Sequence, residues 1–112
     1  MTPNAPVGDN PPVAQPTALL YDYVEDILER RAPHREGHLA LIESWRSDGR
    51  LALAGPLGDP PSGVLIVFEV EDPSEVAEFV AADPYFEAGL VTSHRIEPWT
   101  LVANRPLAGS DG

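Results

Sequence analysis

Residues 33–56, PHREGHLALIESWRSDGRLALAGP, join a helical pattern to a short apolar strand through a Ser-Asp-Gly turn, and the layout of the whole chain follows from this stretch. His34, His38, Leu41, Ile42 and Trp45 recur at spacings of three and four, which puts them on one helix face. Ile27 and Arg31 extend that face upstream, with Pro33 between. Proline suits the first turn of a helix and pushes the residue before it out of helical geometry. The main helix is therefore expected to begin at Pro33, with residues 27–31 as a separate turn. Gly49 supplies the C-terminal stop, and residues 50–57 read as a strand.

Working outward, residues 18–24 (ALLYDYV) are aromatic and β-branched at spacing two, with Leu19, Tyr21 and Tyr23 on one side, which predicts the first strand. The Gly-Asp-Pro-Pro-Ser-Gly stretch at 58–63 is a hairpin-like loop leading to a third strand, VLIVFEV, at 64–70. Asp72 is placed to cap a second helix with Pro73 at its first position; this helix carries Val76, Phe79 and Val80 and stops before Asp83-Pro84. A short turn, PYFEAG, leads to a fourth strand over 91–102, in which His94 and Ile96 face opposite to Arg95 and Glu97. The order β-α-β-β-α-β predicts an α+β, ferredoxin-like fold: a four-stranded antiparallel sheet with two helices on one face. The third strand is apolar on both parities, so a second copy covering the open face, a homodimer, is expected.

The chain has 112 residues, enough for one core. Its 18 acidic residues against 7 basic ones leave a net charge of −11, and every basic residue is an arginine. Such a chain is repelled by phosphate backbones and anionic lipid, so neither nucleic acid nor a membrane is an expected partner. Cysteine is absent, which removes disulfides and thiolate chemistry. No apolar run approaches the roughly 20 residues of a membrane-spanning helix. The first 15 residues lack the charged and apolar regions of a secretory signal, and a cytoplasmic location is expected. Five of the 13 prolines fall in residues 1–16, so residues 1–17 are expected to form a disordered tail, 18–103 the folded domain and 104–112 a second tail.

The ordered set Arg35-Glu36-Gly37-His38-Leu39, Asp48-Gly49-Arg50-Leu51, Ala54-Gly55-Pro56 and Ala82-Asp83-Pro84-Tyr85 followed by Ala88-Gly89 resembles the YciI-related (YCII) family. The resemblance implies the dimeric α/β-barrel form of the ferredoxin-like fold, and a catalytic histidine and aspartate that map onto His38 and Asp83. It also implies a range of chemistry, because the family includes a dehydrochlorinase acting on a chlorinated hydroxyquinol and the wider group holds isomerases and small monooxygenases. The proline-rich leader and the second histidine, His34, depart from the bacterial YciI pattern.

A histidine one turn inside a helix with a carboxylate partner makes a sensible general base, because the carboxylate selects the tautomer and stabilises the imidazolium. No serine or cysteine motif points to covalent catalysis. His34, Arg35, Gly55 and Tyr85 are candidates for substrate binding: Arg35 for an anionic group, Gly55 for close backbone approach to a ligand. His34 and His38 are at i and i+4, but the order His-x-Glu-x-His is not a metalloprotease motif and no third ligand is apparent, so neither a metal nor another cofactor is expected. Asp83 has a plainer role open to it, since each of the three Asp-Pro pairs suits the capping of a turn. With right-handed crossovers, the start of the first helix and the end of the second are expected at opposite ends of the sheet. Contact between His38 and Asp83 then requires residues 83–85 to fold back, or the first helix to start well before Pro33. Two readings stay open. One is a cofactor-independent lyase, dehydrochlorinase-like, or isomerase acting on a cyclic or phenolic small molecule. The other is a non-catalytic dimeric module that binds a small ligand or stabilises a partner.

Overall fold

Alternation in the apolar strands sets the sheet. The computed structural model describes residues 15–103, so the expected tails lie almost wholly outside the described residues. Four strands, β1 (Thr17–Tyr23), β2 (Leu51–Leu57), β3 (Gly63–Phe68) and β4 (Val91–Pro98), form one antiparallel sheet in the order β2-β3-β1-β4. Leu19 lies between Ile66 and Ile96, and Tyr21 between Val64 and His94, so these residues share one face. Against that face pack α1 (Ile27–Arg30), a 3₁₀ turn (Ala32–His34), α2 (Arg35–Ser47), α3 (Ser74–Ala82) and the single turn α4 (Pro84–Glu87). The fold is the α+β, ferredoxin-like one expected.

Pro33 acts as the sequence suggested. It sits in the 3₁₀ turn, and the helix proper starts at Arg35, two residues later than expected. The face read from the spacing is the buried one: His38 and Trp45 are buried and Leu41 and Ile42 partly so. Trp45, Phe68 and Phe79 meet edge to face with ring centroids 5.1 to 5.7 Å apart, and the Arg50 guanidinium covers the outer face of Trp45 at 3.6 Å. Losing the Phe79 ring would cost about 3–5 kcal/mol. Asp72 accepts the Ser74 N–H (3.0 Å), capping the start of α3. Gly63 is a forced choice, because a Cβ there would overlap the Tyr21 carbonyl across the ladder.

Three expectations shift. β1 starts at Thr17, which is buried and pairs with Phe68 and Pro98. β4 ends at Pro98 and not at residue 102, because Pro16 and Pro98 have no N–H to extend the ladder; among the described residues one backbone bond, Trp99 N–H to the Pro16 carbonyl (2.9 Å), follows. The helix ends were misplaced: β1 and β3 are antiparallel, so the helices that follow them run in opposite senses. The start of α2 and the end of α3 therefore share one end of the sheet.

On the other face, Leu20 and Leu65 are half-buried, while Leu53, Leu57 and Trp99 are exposed. Among the described residues, no helix is long and apolar enough to cross a membrane.

Candidate active site

The shared end of α2 and α3 is where chemistry gathers. After Ala82 the backbone turns extended at Asp83 (φ −79°, ψ 120°) and re-enters helix at Pro84, which lays α4 against the first turn of α2. Gly37 permits this contact, since a Cβ there would stand 3.1 Å from Pro84 Cγ. His38, the next residue, and Asp83, the residue before Pro84, are thereby brought together.

Asp83 is fully buried, and three donors satisfy it. Oδ1 accepts from His38 Nδ1 (2.8 Å) and from the Tyr85 N–H (3.0 Å), while Oδ2 accepts from the Tyr21 hydroxyl (2.8 Å). The capping role and the histidine-holding role are therefore both performed, by the same side chain. A carboxylate oxygen accepts, so Nδ1 is the nitrogen that donates in this bond, and in the neutral imidazole Nε2 is the one left with a lone pair. The Tyr85 ring stacks on the imidazole, centroids 3.7 Å apart and planes within 4°, and fixes its orientation. The Tyr23 ring meets Tyr85 edge to face at 6.0 Å.

Burial pushes the Tyr21 phenol far above its ordinary value, and the Asp83 carboxylate beside it adds to the rise. Tyr23 is raised for the same reason, with Tyr85 and Asp83 reinforcing and Arg31 opposing. Tyr85 is raised by burial against the pull of Arg31 and Arg35. All three phenols stay protonated at neutral pH and act as hydrogen-bonding, not basic, groups.

Above His38 opens a cleft of about 160 Å³. Its polar lining is His38, Arg31, Arg35, Tyr23 and Tyr85; Leu39, Ile42, Ala54, Pro56 and Val64 supply the apolar lining, and Gly55 lies between Ala54 and Pro56. Of the residues singled out from sequence, His38, Asp83, Tyr85, Arg35 and Gly55 thus converge. Gly55 is in register with Leu65, and a Cβ there would meet nothing within 4 Å, so packing does not demand its lack of a side chain. His34 is half-buried in the 3₁₀ turn and does not line the cleft. Among the described residues, no three His, Asp or Glu side chains cluster as metal ligands would.

Sequence reasoning missed Tyr21, Tyr23 and Arg31. Tyr21 and Tyr23 alternate with Asp22 on the core-facing side of β1, where a structural role suffices to explain them. The available signal was the hydroxyl: a buried tyrosine needs a polar partner, and a buried aspartate needs donors.

Comparison with known proteins agrees with the fold. Residues 16–100 match the YCII-related domain. The chain is 31% identical to Protein YciI of Escherichia coli O6:H1, over 69% of this chain and 88% of that protein. It is 30% identical to an uncharacterized protein of Haemophilus influenzae, over 70% and 90%. Among solved structures it is similar to 5-chloro-2-hydroxyhydroquinone dehydrochlorinase from Burkholderia phenoliruptrix AC1100 in complex with 2,5-dihydroxybenzoquinone. That match has a TM-score of 0.65 and 25% identity, covering 76% of this chain and 93% of the other.

Proposed function

Because the chain belongs to the YCII-related domain family, we propose that it is a small, cofactor-independent enzyme in which His38 moves protons on a single-ring phenolic substrate, as a lyase or an isomerase. The observation that carries this is the buried His38–Asp83 pair, 2.8 Å apart, with His38 lining an open cleft. A histidine held only for packing needs no such cleft. The likeness to a dehydrochlorinase structure supports the substrate class.

Nε2 takes the proton of a phenolic hydroxyl, and the oxygen's electron pair moves through the ring to a carbon. The imidazolium, stabilised by Asp83, returns that proton to the carbon, giving the keto tautomer; this is the isomerisation. Where the carbon bears a halide, the halide leaves with its bonding pair and a second phenolic proton passes to solvent. The net loss is then one HX, and a quinone remains. Tyr85 holds the imidazole plane and Tyr21 holds Asp83. General acid–base catalysis of this kind contributes about 10²–10⁴-fold.

We place the working unit as a homodimer joined through the open sheet faces, where Leu20 and Leu65 are half-buried and Leu53, Leu57 and Trp99 exposed.

The test is chloride release and quinone absorbance from chlorinated hydroxyquinols, wild type beside His38→Asn. Release that vanishes in the variant supports the enzyme. Ligand binding with no turnover of any halogenated or tautomerisable ring leaves a small-ligand-binding module.

A further inference from the structure

Six arginines lie among the described residues, and four of them are paired to carboxylates. Arg30 meets Asp26 at 3.6 Å, Arg46 meets Glu43, Arg50 meets Asp48 and Glu75, and Arg95 meets Glu97. Arg31 and Arg35 form no ion pair with a described carboxylate, although the chain carries 18 acidic residues to choose from. Both line the cleft above His38.

Their placement runs against local electrostatics. Arg35 is the first residue of the 13-residue helix α2, where the helix dipole disfavours a cation. Arg31 sits one turn earlier, across the 3₁₀ turn. Two guanidiniums and the positive end of a helix make one spot of positive potential on a protein of net charge −11.

Size adds a second constraint. An enclosed cavity of ~150 Å³ accepts benzene, and this open cleft holds about 160 Å³ with Leu39, Ile42, Pro56 and Val64 in its apolar lining. It suits one ring.

We infer that Arg31 and Arg35 are the specificity-determining residues of this cleft and that its preferred substrate is a planar, single-ring anion. Its carboxylate or ionised enol oxygen is clamped by the two guanidiniums while the ring lies over His38. This rests on the reading of the cleft as the place where His38 works, and it ranks phenolic rings that carry a full negative charge above uncharged ones. The forked guanidinium suits a two-oxygen anion better than a lysine would, in keeping with a chain that has arginine and no lysine.

The experiment is isothermal titration calorimetry of the full chain with 2,5-dihydroxybenzoate and with its uncharged methyl ester. The acid is expected to bind at least about tenfold more tightly, with an affinity that falls as salt is added. Arg31→Gln and Arg35→Gln should each weaken acid binding by about tenfold and leave ester binding within about twofold, with Arg35→Lys recovering part of the loss. Equal affinity for acid and ester overturns the inference. So does acid binding within about twofold of wild type in the double glutamine variant, or saturation by neither compound at ~10 mM. Chloride release by His38→Asn is read separately: activity retained there defeats the proposed base and leaves the anion clamp standing.

Discussion

Gly37 and Pro84 touch, with the site of a missing Cβ on Gly37 only 3.1 Å from Pro84 Cγ, and this contact seats α4 on the first turn of α2. His38 follows the one and Asp83 precedes the other. Two motifs 46 positions apart in the chain thus meet because one of them lacks a side chain.

Gly37→Ala should therefore separate stability from function. Alanine gains about 1 kcal/mol of helix propensity and forfeits a similar amount by overpacking against Pro84. The melting temperature is expected to stay within a few degrees. The displaced α4 should lengthen the His38–Asp83 bond, read as an upfield shift of the imidazole Nδ1 proton in NMR spectra. An unmoved signal would show that Pro84 yields without disturbing the pair.

Tyr21→Phe leaves Asp83 Oδ2 buried without its donor. An orphaned buried acceptor costs about 1–3 kcal/mol, so chemical denaturation should show a loss in that range with an unchanged m-value. A loss below about 0.5 kcal/mol would mean that water replaces the hydroxyl.

Alkaline pH should unfold the protein in a way that isolates the same residue. Tyr21, Tyr23 and Tyr85 all have raised pKa values in the fold, chiefly through burial. The unfolded chain thus releases its phenolic protons near pH 10 while the folded chain keeps them. Stability is full below pH 10 and declines above it, by about 1.4 kcal/mol per pH unit for the buried Tyr21 until the folded state also ionises, with Tyr23 and Tyr85 adding to the decline. The chain has three tyrosines and no lysine or cysteine to confuse the titration. Tyrosinate absorbance should rise together with the loss of circular dichroism, and Tyr21→Phe should flatten the slope. Absorbance rising well before unfolding would show the phenols to be accessible.

Light scattering at micromolar concentration should give twice the 12.1 kDa chain mass. Leu65→Glu, in the middle of the open face, should give monomer. A wild-type monomer removes the dimer.

Much of this was legible in the sequence. Alternation in β1 and β3 and the spacing from His38 to Trp45 carried the βαββαβ order, Pro33 announced the break before α2, and the family resemblance pointed to His38 and Asp83. What escaped depends on contacts between distant parts of the chain. Tyr21 lies 62 positions from Asp83, and its place in a core strand explains it fully until that partner is seen. Arg30 and Arg31 are adjacent in sequence; the i,i+4 partner Asp26 pairs with Arg30, while the neighbouring residue turns to the cleft. The helix ends were misjudged because the antiparallel pairing of β1 with β3 was not carried through to the helices that follow. His34 was favoured by its spacing to His38, but the 3₁₀ turn at Pro33 takes it off the continuing helix face.

The central claim is that His38, held by Asp83, transfers the proton, and kcat for chloride release from 5-chloro-2-hydroxyhydroquinone tests it most directly. Wild type, His38→Asn and Asp83→Asn are compared at substrate saturation, each with its melting curve. The account predicts turnover by the wild type and a fall of about 100 to 10,000-fold in His38→Asn, with KM and melting temperature little changed. In Asp83→Asn it predicts a fall of at least about tenfold together with about 1–3 kcal/mol of lost stability, because the amide cannot satisfy all three donors. Turnover unchanged in both variants would contradict it.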